Sequence, residues 1–349
     1  MRASQTIICS DFFTELQDVI LDRKSNEIFI LTDENTREHC LPALLELEKL
    51  RESRIIVLKS GDEYKNIDSA VKIWQFLTEN GATRKSLMIN LGGGMITDIG
   101  GFTASTFKRG MDYVNISTTL LGAVDAATGG KTGINFLGLK NEIGVFKPAK
   151  AVLINVDFFR TLDDKNLRSG FAEMLKHALI NSQEDWNEIL NFDLENVDFD
   201  TLKVLLQRNI DIKEKIVAAD PTEKGMRKAL NLGHTFGHAF ESLSYRKGTP
   251  LLHGYAVAWG LVCELYLSVI KLGFPKEEFL KLKYFVKENY GVYDCGCTDY
   301  TELMELMRHD KKNESAEINF TLLSDVGEVK INQTATDKEI EECLERGLY

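Results

Sequence analysis

The first 160 or so residues alternate short β-branched runs with amphipathic stretches, and from Leu162 that alternation gives way to helical periodicity almost to the C-terminus. Alternating strand and helix builds βα units around a parallel sheet, whereas a succession of amphipathic helices packs as a bundle. "EIFILT" (Glu27 to Thr32), "RIIVLK" (Arg54 to Lys59) and "SLMINL" (Ser86 to Leu91) read as strands, with "KAVLINV" (Lys150 to Val156) closing the set. "LPALLELEKL" and "NIDSAVKIWQFLTENG" read as helices of the same unit. Beyond it, "NLRSGFAEMLKHALI", "VLLQRNIDIKEKIVAA", "KALNLGHTFGHAFESL", "GYAVAWGLVCELYLSVI" and "KEEFLKLKYFVKEN" carry helical faces, and "EINFTLLSDVGEVKI" predicts a hairpin turning near Asp325 to Gly327. The expected architecture is an α/β domain over 1–160 and a mainly α-helical domain over 161–349, with a site in the cleft between them.

A chain of 349 residues with a formal charge of −11 is a poor general ligand for nucleic acid or anionic membrane. Six scattered cysteines make no dense disulfide framework, and the lone Cys295-x-Cys297 pair lacks the second pair that a structural zinc site needs. The N-terminus reaches charged residues too soon for a signal peptide, and no uninterrupted apolar run is long enough to span a bilayer, so a cytoplasmic setting is expected.

"INLGGGMITDIGG" runs from a buried strand through Gly92, Gly93 and Gly94 toward a helix expected near Thr97. Glycines there let the backbone approach a phosphate, and a helix start adds N–H donors, although tight turns for close packing explain the same residues. The segment is neither GxGxxG nor a P-loop, despite a separate "GGKTG" at Gly129 to Gly133. Asp98 suits a ribose or a helix cap, and Asp62, Glu63 and Lys65 in "GDEYKN" suit either a ligand at a strand's carboxyl end or an exposed polar turn.

Three of the six histidines fall close together, in "LNLGHTFGHAF" and "LLHGYAVAWG". His234 and His238 share one side of a helix, and the residues between them exclude HExxH. Two imidazoles with a carboxylate, for which Glu173 among apolar residues is the candidate, would hold a divalent ion with an open position. The plainer reading pairs Glu173 with Lys176 and leaves the histidines to local hydrogen bonds. Arg109, Lys131, Lys140, Lys176, Lys213, Arg227 and the Lys311/Lys312 pair would, if gathered, suit a substrate with both carboxylate and phosphate, with Asp125 and Asn141 as polar partners. Taken singly, each is an ordinary solvated or capping group.

Read together, "GDEYK", "GGGMITDIGGFTASTFKRG", "STTLLGAVDAATGGKTGIN", "LKNEIGVF", "RSGFAEMLKHALI", "RKALNLGHTFGHAFE", "LLHGYAVAWG" and "RHDKK" resemble the 3-dehydroquinate synthases, within the wider sugar-phosphate cyclase family. The resemblance implies a Rossmann-like N-terminal NAD-binding domain and a helical metal-binding domain. It implies zinc, or cobalt, on Glu173, His234 and His253, with His238 left for substrate phosphate. NAD would meet Asp62, Glu63, Tyr64, Lys65, Gly93, Gly94, Met95, Asp98, Thr118, Thr119 and Lys140. Lys131, Asn141, His238 and Lys312, favoured over Lys311, would surround the phosphate, and Arg109 would reach it from the partner of a homodimer. Asp125, Lys176, Lys213, Glu223, Arg227 and Asn231 would complete the polar shell, the last two at a carboxylate.

The implied reaction is that of a phosphate-eliminating lyase of aromatic amino acid biosynthesis, the shikimate pathway. It takes 3-deoxy-D-arabino-heptulosonate 7-phosphate to 3-dehydroquinate by transient oxidation at C5, elimination, re-reduction, ring opening and aldol closure. The alternatives are another NAD- and metal-dependent sugar-phosphate cyclase, an alcohol dehydrogenase, or a non-catalytic sensor. Asp62 stands where the family commonly has glutamate, Thr97 where it has glycine, and the loop between His238 and His253 is slightly longer than usual.

Overall fold

A computed structural model describes residues 5–126, 129–137, 139–308 and 318–348, and the chain divides into two units, Met1–Asp163 and Asp164–Tyr349. In chain order the first contains β1 (Gln5–Ile8), α1 (Phe12–Val19), β2 (Ile28–Asp33), α2 (Glu34–His39), α3 (Leu41–Leu44), β3 (Arg54–Leu58), α4 (Ile67–Glu79), β4 (Leu87–Gly92), α5 (Gly94–Thr106), β5 (Asp112–Ser117), β6 (Lys131–Phe136), β7 (Leu139–Phe146) and β8 (Ala151–Ile154). Asp11, Asp33 and Asn66 accept first-turn N–H groups at the starts of α1, α2 and α4, which is why those helices begin where they do.

Six strands form one parallel sheet in the order β1-β8-β5-β4-β2-β3. Every residue of β2 and β4 is buried, as expected of a parallel sheet covered on both faces. Ile28, Ile30, Leu87, Ile89, Leu91, Val114, Ile116 and Leu153 alternate onto one face against Phe12 and Leu16 of α1. Each such side chain contributes about 1.5–3 kcal/mol relative to leaving it in water. From the other face Phe29 meets Phe76 of α4 edge-on, with ring centroids 6.4 Å apart. The chain runs from β2 outward to β3 and from β4 outward to β5, so the direction of winding reverses between β4 and β2. Open α/β sheets bind ligands at the strand carboxyl ends beside such a reversal.

Three local expectations are corrected. "LPALLELEKL" is not one helix: α3 makes a single turn, Leu47 is extended, and a 3₁₀ turn at Glu48–Leu50 returns Leu50 to the core. α5 starts at Gly94 rather than near Thr97, so Thr97 lies within it, donating its hydroxyl to Gly94 O, and neither Thr97 nor Asp98 caps the helix. "KALNLGHTFGHAFESL" breaks into a 3₁₀ turn (Met226–Asn231) and a helix from His234, because Gly233 adopts a left-handed φ of 80°.

The second unit consists of α6 (Asp164–Asn181), α7 (Gln183–Leu190), α8 (Phe199–Ala219), α9 (His234–Arg246), α10 (His253–Leu272), α11 (Lys276–Tyr290), α12 (Tyr300–Arg308), the hairpin β9 (Asn319–Asp325) and β10 (Glu328–Thr334), and α13 (Asp337–Glu342). By length and composition α10 is apolar enough to cross a membrane, but Glu264 interrupts its apolar run, and two thirds of that stretch (67%) is buried within the protein. It is the core helix, packed against α6, α9, α11 and β9. Where α10 meets α6, Gly254 donates its N–H to Ser169 Oγ at 3.0 Å, and a Cβ at Gly254 would lie 1.8 Å from Ser169 O.

Candidate active site

In the first unit the proposed cofactor residues follow the carboxyl ends of three strands of the parallel sheet, β5 and β4 side by side and β3 beyond β2. Asp62, Glu63 and Tyr64 form a 3₁₀ turn after β3, Gly93, Gly94 and Met95 open α5 after β4, and Thr118 and Thr119 follow β5. Gly93 puts no side chain over the first turn of α5, and a Cβ there would come within 2.8 Å of Thr119 Cγ2. Thr118 is buried, and among the described residues its hydroxyl has no hydrogen-bond partner. A narrow approach to helix N–H groups beside an unsatisfied hydroxyl fits the phosphates and ribose of a dinucleotide.

Lys65 is buried among carboxylates and amides. Its Nζ lies 3.2 Å from Asp98 Oδ2, 2.7 Å from Asn141 Oδ1 and 3.5 Å from Asp62 Oδ1, and Lys140 Nζ is 3.3 Å from Asp62 Oδ2. Burial alone would lower Lys65, but Asp98 and Asp62 outweigh it and raise its pKa. Burial likewise pushes Asp62 up, and the Lys65 and Lys140 charges overcome that and hold it below its ordinary value. At Asp98 the balance goes the other way: burial wins over Lys65, and the carboxyl rises to about 6.

Asn135, a residue that sequence reasoning did not single out, ties this group together. It donates from Nδ2 to Asp62 O and Oδ2, accepts from Asn141 N–H, and donates its own N–H to Lys65 O. The bond from its side chain accompanies a left-handed φ of 50° at Asn141. Its place in the quoted "GGKTGIN" was a usable signal. Lys131 and Asn141 lie on the β6–β7 hairpin with Lys140, and Asp125 sits half-buried in the π-helical turn Gly122–Ala126. Arg109 is exposed at a left-handed turn after α5 and, among the described residues, joins no hydrogen bond of this network.

In the second unit Glu173 of α6 is fully buried, one turn from buried Lys176, which donates to its Oε2. Among the described residues its Oε1 has no hydrogen-bond partner, and it lies 3.4 Å from His234 Nε2 and 3.5 Å from His253 Nε2. One ligand atom from each of these three residues lies within 4.8 Å of the others, the one such group of His, Cys, Asp or Glu among the described residues. His234 turns Nδ1 to Leu232 O at 3.1 Å, and His253 turns Nδ1 to Glu241 Oε2 at 3.3 Å, so both Nε2 atoms are presented to the carboxylate. Burial lowers His253, but Glu173 and Glu241 raise it overall to about 9. Burial raises Glu173, and Lys176 and His234 more than reverse that, holding it well below the carboxylate range. The plain pairing of Glu173 with Lys176 is therefore present, but it occupies one oxygen only. An orphaned anionic oxygen between two oriented imidazoles fits a divalent cation with positions left open for substrate.

His238 lies one turn beyond His234, half-buried, with ring centroids 5.3 Å from His234 and 6.1 Å from His253, and stands outside the three-residue group. Lys213 of α8 and Arg227 of the Met226–Asn231 turn are buried. Among the described residues the Arg227 guanidinium meets no carboxylate and donates to Pro221 O at 3.0 Å. Asn231 Nδ2 donates to Glu223 Oε1 at 3.3 Å, with Glu223 left-handed at φ 59°. Lys311 and Lys312 lie outside the described residues.

Family models described as 3-dehydroquinate synthase N-terminal and 3-dehydroquinate synthase C-terminal match residues 55–169 and 170–313. A 3-dehydroquinate synthase of Parabacteroides distasonis is 51% identical over 345 residues, 99% of this chain and 98% of that one. Among solved structures, a 2-epi-5-epi-valiolone synthase from Streptomyces hygroscopicus with NAD+ and Zn2+ bound superposes with a TM-score of 0.86 at 23% identity, over 99% of this chain and 97% of that one. A 2-deoxy-scyllo-inosose synthase complexed with carbaglucose-6-phosphate, NAD+ and Co2+ superposes at 0.84 with 20% identity, over 98% and 96%.

Proposed function

The chain belongs to the 3-dehydroquinate synthase family, and on that footing we propose that it converts 3-deoxy-D-arabino-heptulosonate 7-phosphate to 3-dehydroquinate and inorganic phosphate. The observation that carries the chemistry is the buried Glu173 Oε1 set 3.4 and 3.5 Å from the Nε2 atoms of His234 and His253. A bound dinucleotide supplies a reversible hydride acceptor, and a divalent ion, zinc or cobalt, supplies a Lewis acid for substrate oxygens.

Glu173, His234 and His253 would hold the ion, and Asp62, Glu63, Tyr64, Lys65, Gly93, Gly94, Met95, Asp98, Thr118, Thr119 and Lys140 the dinucleotide. Oxidation at C5 acidifies the C6 proton, so that phosphate leaves by elimination. Lys131, Asn141 and His238 would grip the departing phosphate and stabilise its charge, with Lys312 and a partner's Arg109 in the same role. Arg227, buried and meeting no carboxylate among the described residues, would receive the substrate carboxylate beside Asn231. Lys176 would keep Glu173 ionised, and Asp125, Lys213 and Glu223 would complete the polar lining. Return of the hydride, ring opening and aldol closure leave no net oxidation.

A homodimer in the cytoplasm completes the reading, and six cysteines scattered along so long a chain suit a reducing setting. Metal-loaded protein incubated with substrate and catalytic NAD is expected to release one phosphate per 3-dehydroquinate with little NADH accumulating. Steady NADH accumulation without phosphate release would instead identify a simple dehydrogenase.

A further inference from the structure

A buried carboxylate outside the proposed ligand set holds the start of α9. Glu264 of α10 is fully buried, and it accepts from Gly233 N–H at 2.7 Å through Oε2 and from Thr235 N–H at 3.0 Å through Oε1, with Phe236 N–H at 3.5 Å. α9 begins at His234, and Gly233 before it has no side chain with which to cap the first turn. The donors of that turn are therefore satisfied from a neighbouring helix, and the negative charge also complements the positive end of the α9 dipole.

The placement matters more than the cap. The clasped amides belong to the residues on either side of His234, and the helix that carries Glu264 is the one that His253 opens. One side chain thus fixes where the first imidazole-bearing helix sits along the second. Gly260, one turn before Glu264, lets the two backbones touch: a Cβ there would lie 2.0 Å from Gly233 O and 2.8 Å from Gly237 N.

We infer that Glu264 is a positioning residue for the metal site, setting His234 Nε2 against Glu173 and His253 by gripping the backbone around His234. The inference rests on the metal reading of that cluster. A carboxylate can accept from all the clasped amides, whereas glutamine of the same shape offers one acceptor oxygen and turns an NH₂ group toward an N–H donor, forcing the start of α9 away.

Metal-stripped wild type, Glu264→Gln and His234→Ala are titrated with Co2+ alone, reading affinity by chelator competition and site geometry by the cobalt d–d absorption. Glu264→Gln is expected to bind Co2+ about 10–100-fold more weakly, with an altered spectrum, while far-UV circular dichroism shows a folded protein. Wild-type affinity and spectrum in folded Glu264→Gln overturn the inference, as does a lowered Tm with both cobalt readouts unchanged. Should Glu264→Gln not fold, Glu264→Asp carries the test, because it keeps the charge but withdraws it by one methylene: weaker Co2+ binding with a shifted spectrum supports the positioning role, and unchanged values refute it. If His234→Ala also binds Co2+ normally, the metal reading itself falls. If only His234→Ala loses Co2+, the role of Glu264 alone falls.

Discussion

Glu173 shows how a single buried charge dictates its surroundings. With Lys176 on one oxygen, its second oxygen faces the Nε2 atoms of His234 and His253 at 3.4 and 3.5 Å, an arrangement that a divalent cation between the three would complete. His234→Ala is therefore expected to lose most bound metal and at least tenfold of turnover, with metal content read by elemental analysis, and full occupancy in a folded variant would contradict the assignment. Asp98 gives a pH prediction. Its folded pKa of about 6 exceeds its ordinary value of 3.8, so it lowers stability as pH rises through that interval, and the penalty is complete above about 6. Dinucleotide binding should run the opposite way, since ionised Asp98 anchors Lys65. NAD+ affinity by calorimetry is expected to drop as pH falls through about 6, and Asp98→Asn to flatten that profile. At this scale helical spacing alone pairs His234 with His238, and it is the family resemblance that selects Glu173, His234 and His253 as the ligand set. Asn135, Glu241 and Glu264 were harder to see, because their roles depend on contacts with residues remote in the chain. A glutamate inside the apolar run "GLVCELYL" was the one local sign of Glu264.

Helices and strands were legible where burial gives them a clear period, and not elsewhere. β2 and β4 stand out because their apolar runs lie inside a covered sheet, and β3, half-buried at the sheet's edge, because its run of Ile55 to Leu58 is apolar and mostly β-branched. β5 escaped notice because "DYVNIS" places Asn115 in the buried interior, where it accepts from Asn90 Nδ2 at 2.9 Å. The β6–β7 hairpin was missed because its glycines and lysines carry no alternating apolar face, although it bears three of the candidate site residues. The hairpin near Asp325 was visible because four successive residues of β9, Phe320 to Leu323, are buried. Contact between α9 and α10 is the element-level feature most open to mutation. Gly260→Ala must displace the carbonyl of Gly233, and a loss of about 1–3 kcal/mol or more is expected, read as a lower Tm. An unchanged Tm would show that the two helices can separate without cost.

Across the whole molecule, the sequence changes from βα alternation to helices near residue 160, and the chain divides into two units at Asp163 and Asp164. Because the second unit assembles its three candidate ligands from the native packing of α6, α9 and α10, metal binding should favour the folded state over the unfolded one. Adding Zn2+ or Co2+ to stripped protein is expected to raise Tm progressively with metal concentration, and to do so far less in His234→Ala. A concentration-independent Tm would mean that the ion does not distinguish folded from unfolded chain. Gly254 adds a genetic consequence. The atom that a methyl group there would strike is the main-chain oxygen of Ser169, which every possible codon at that position still encodes. A screen for second-site revertants of Gly254→Ala should therefore recover none at position 169, and any survivors should map to residues that let α6 and α10 drift apart.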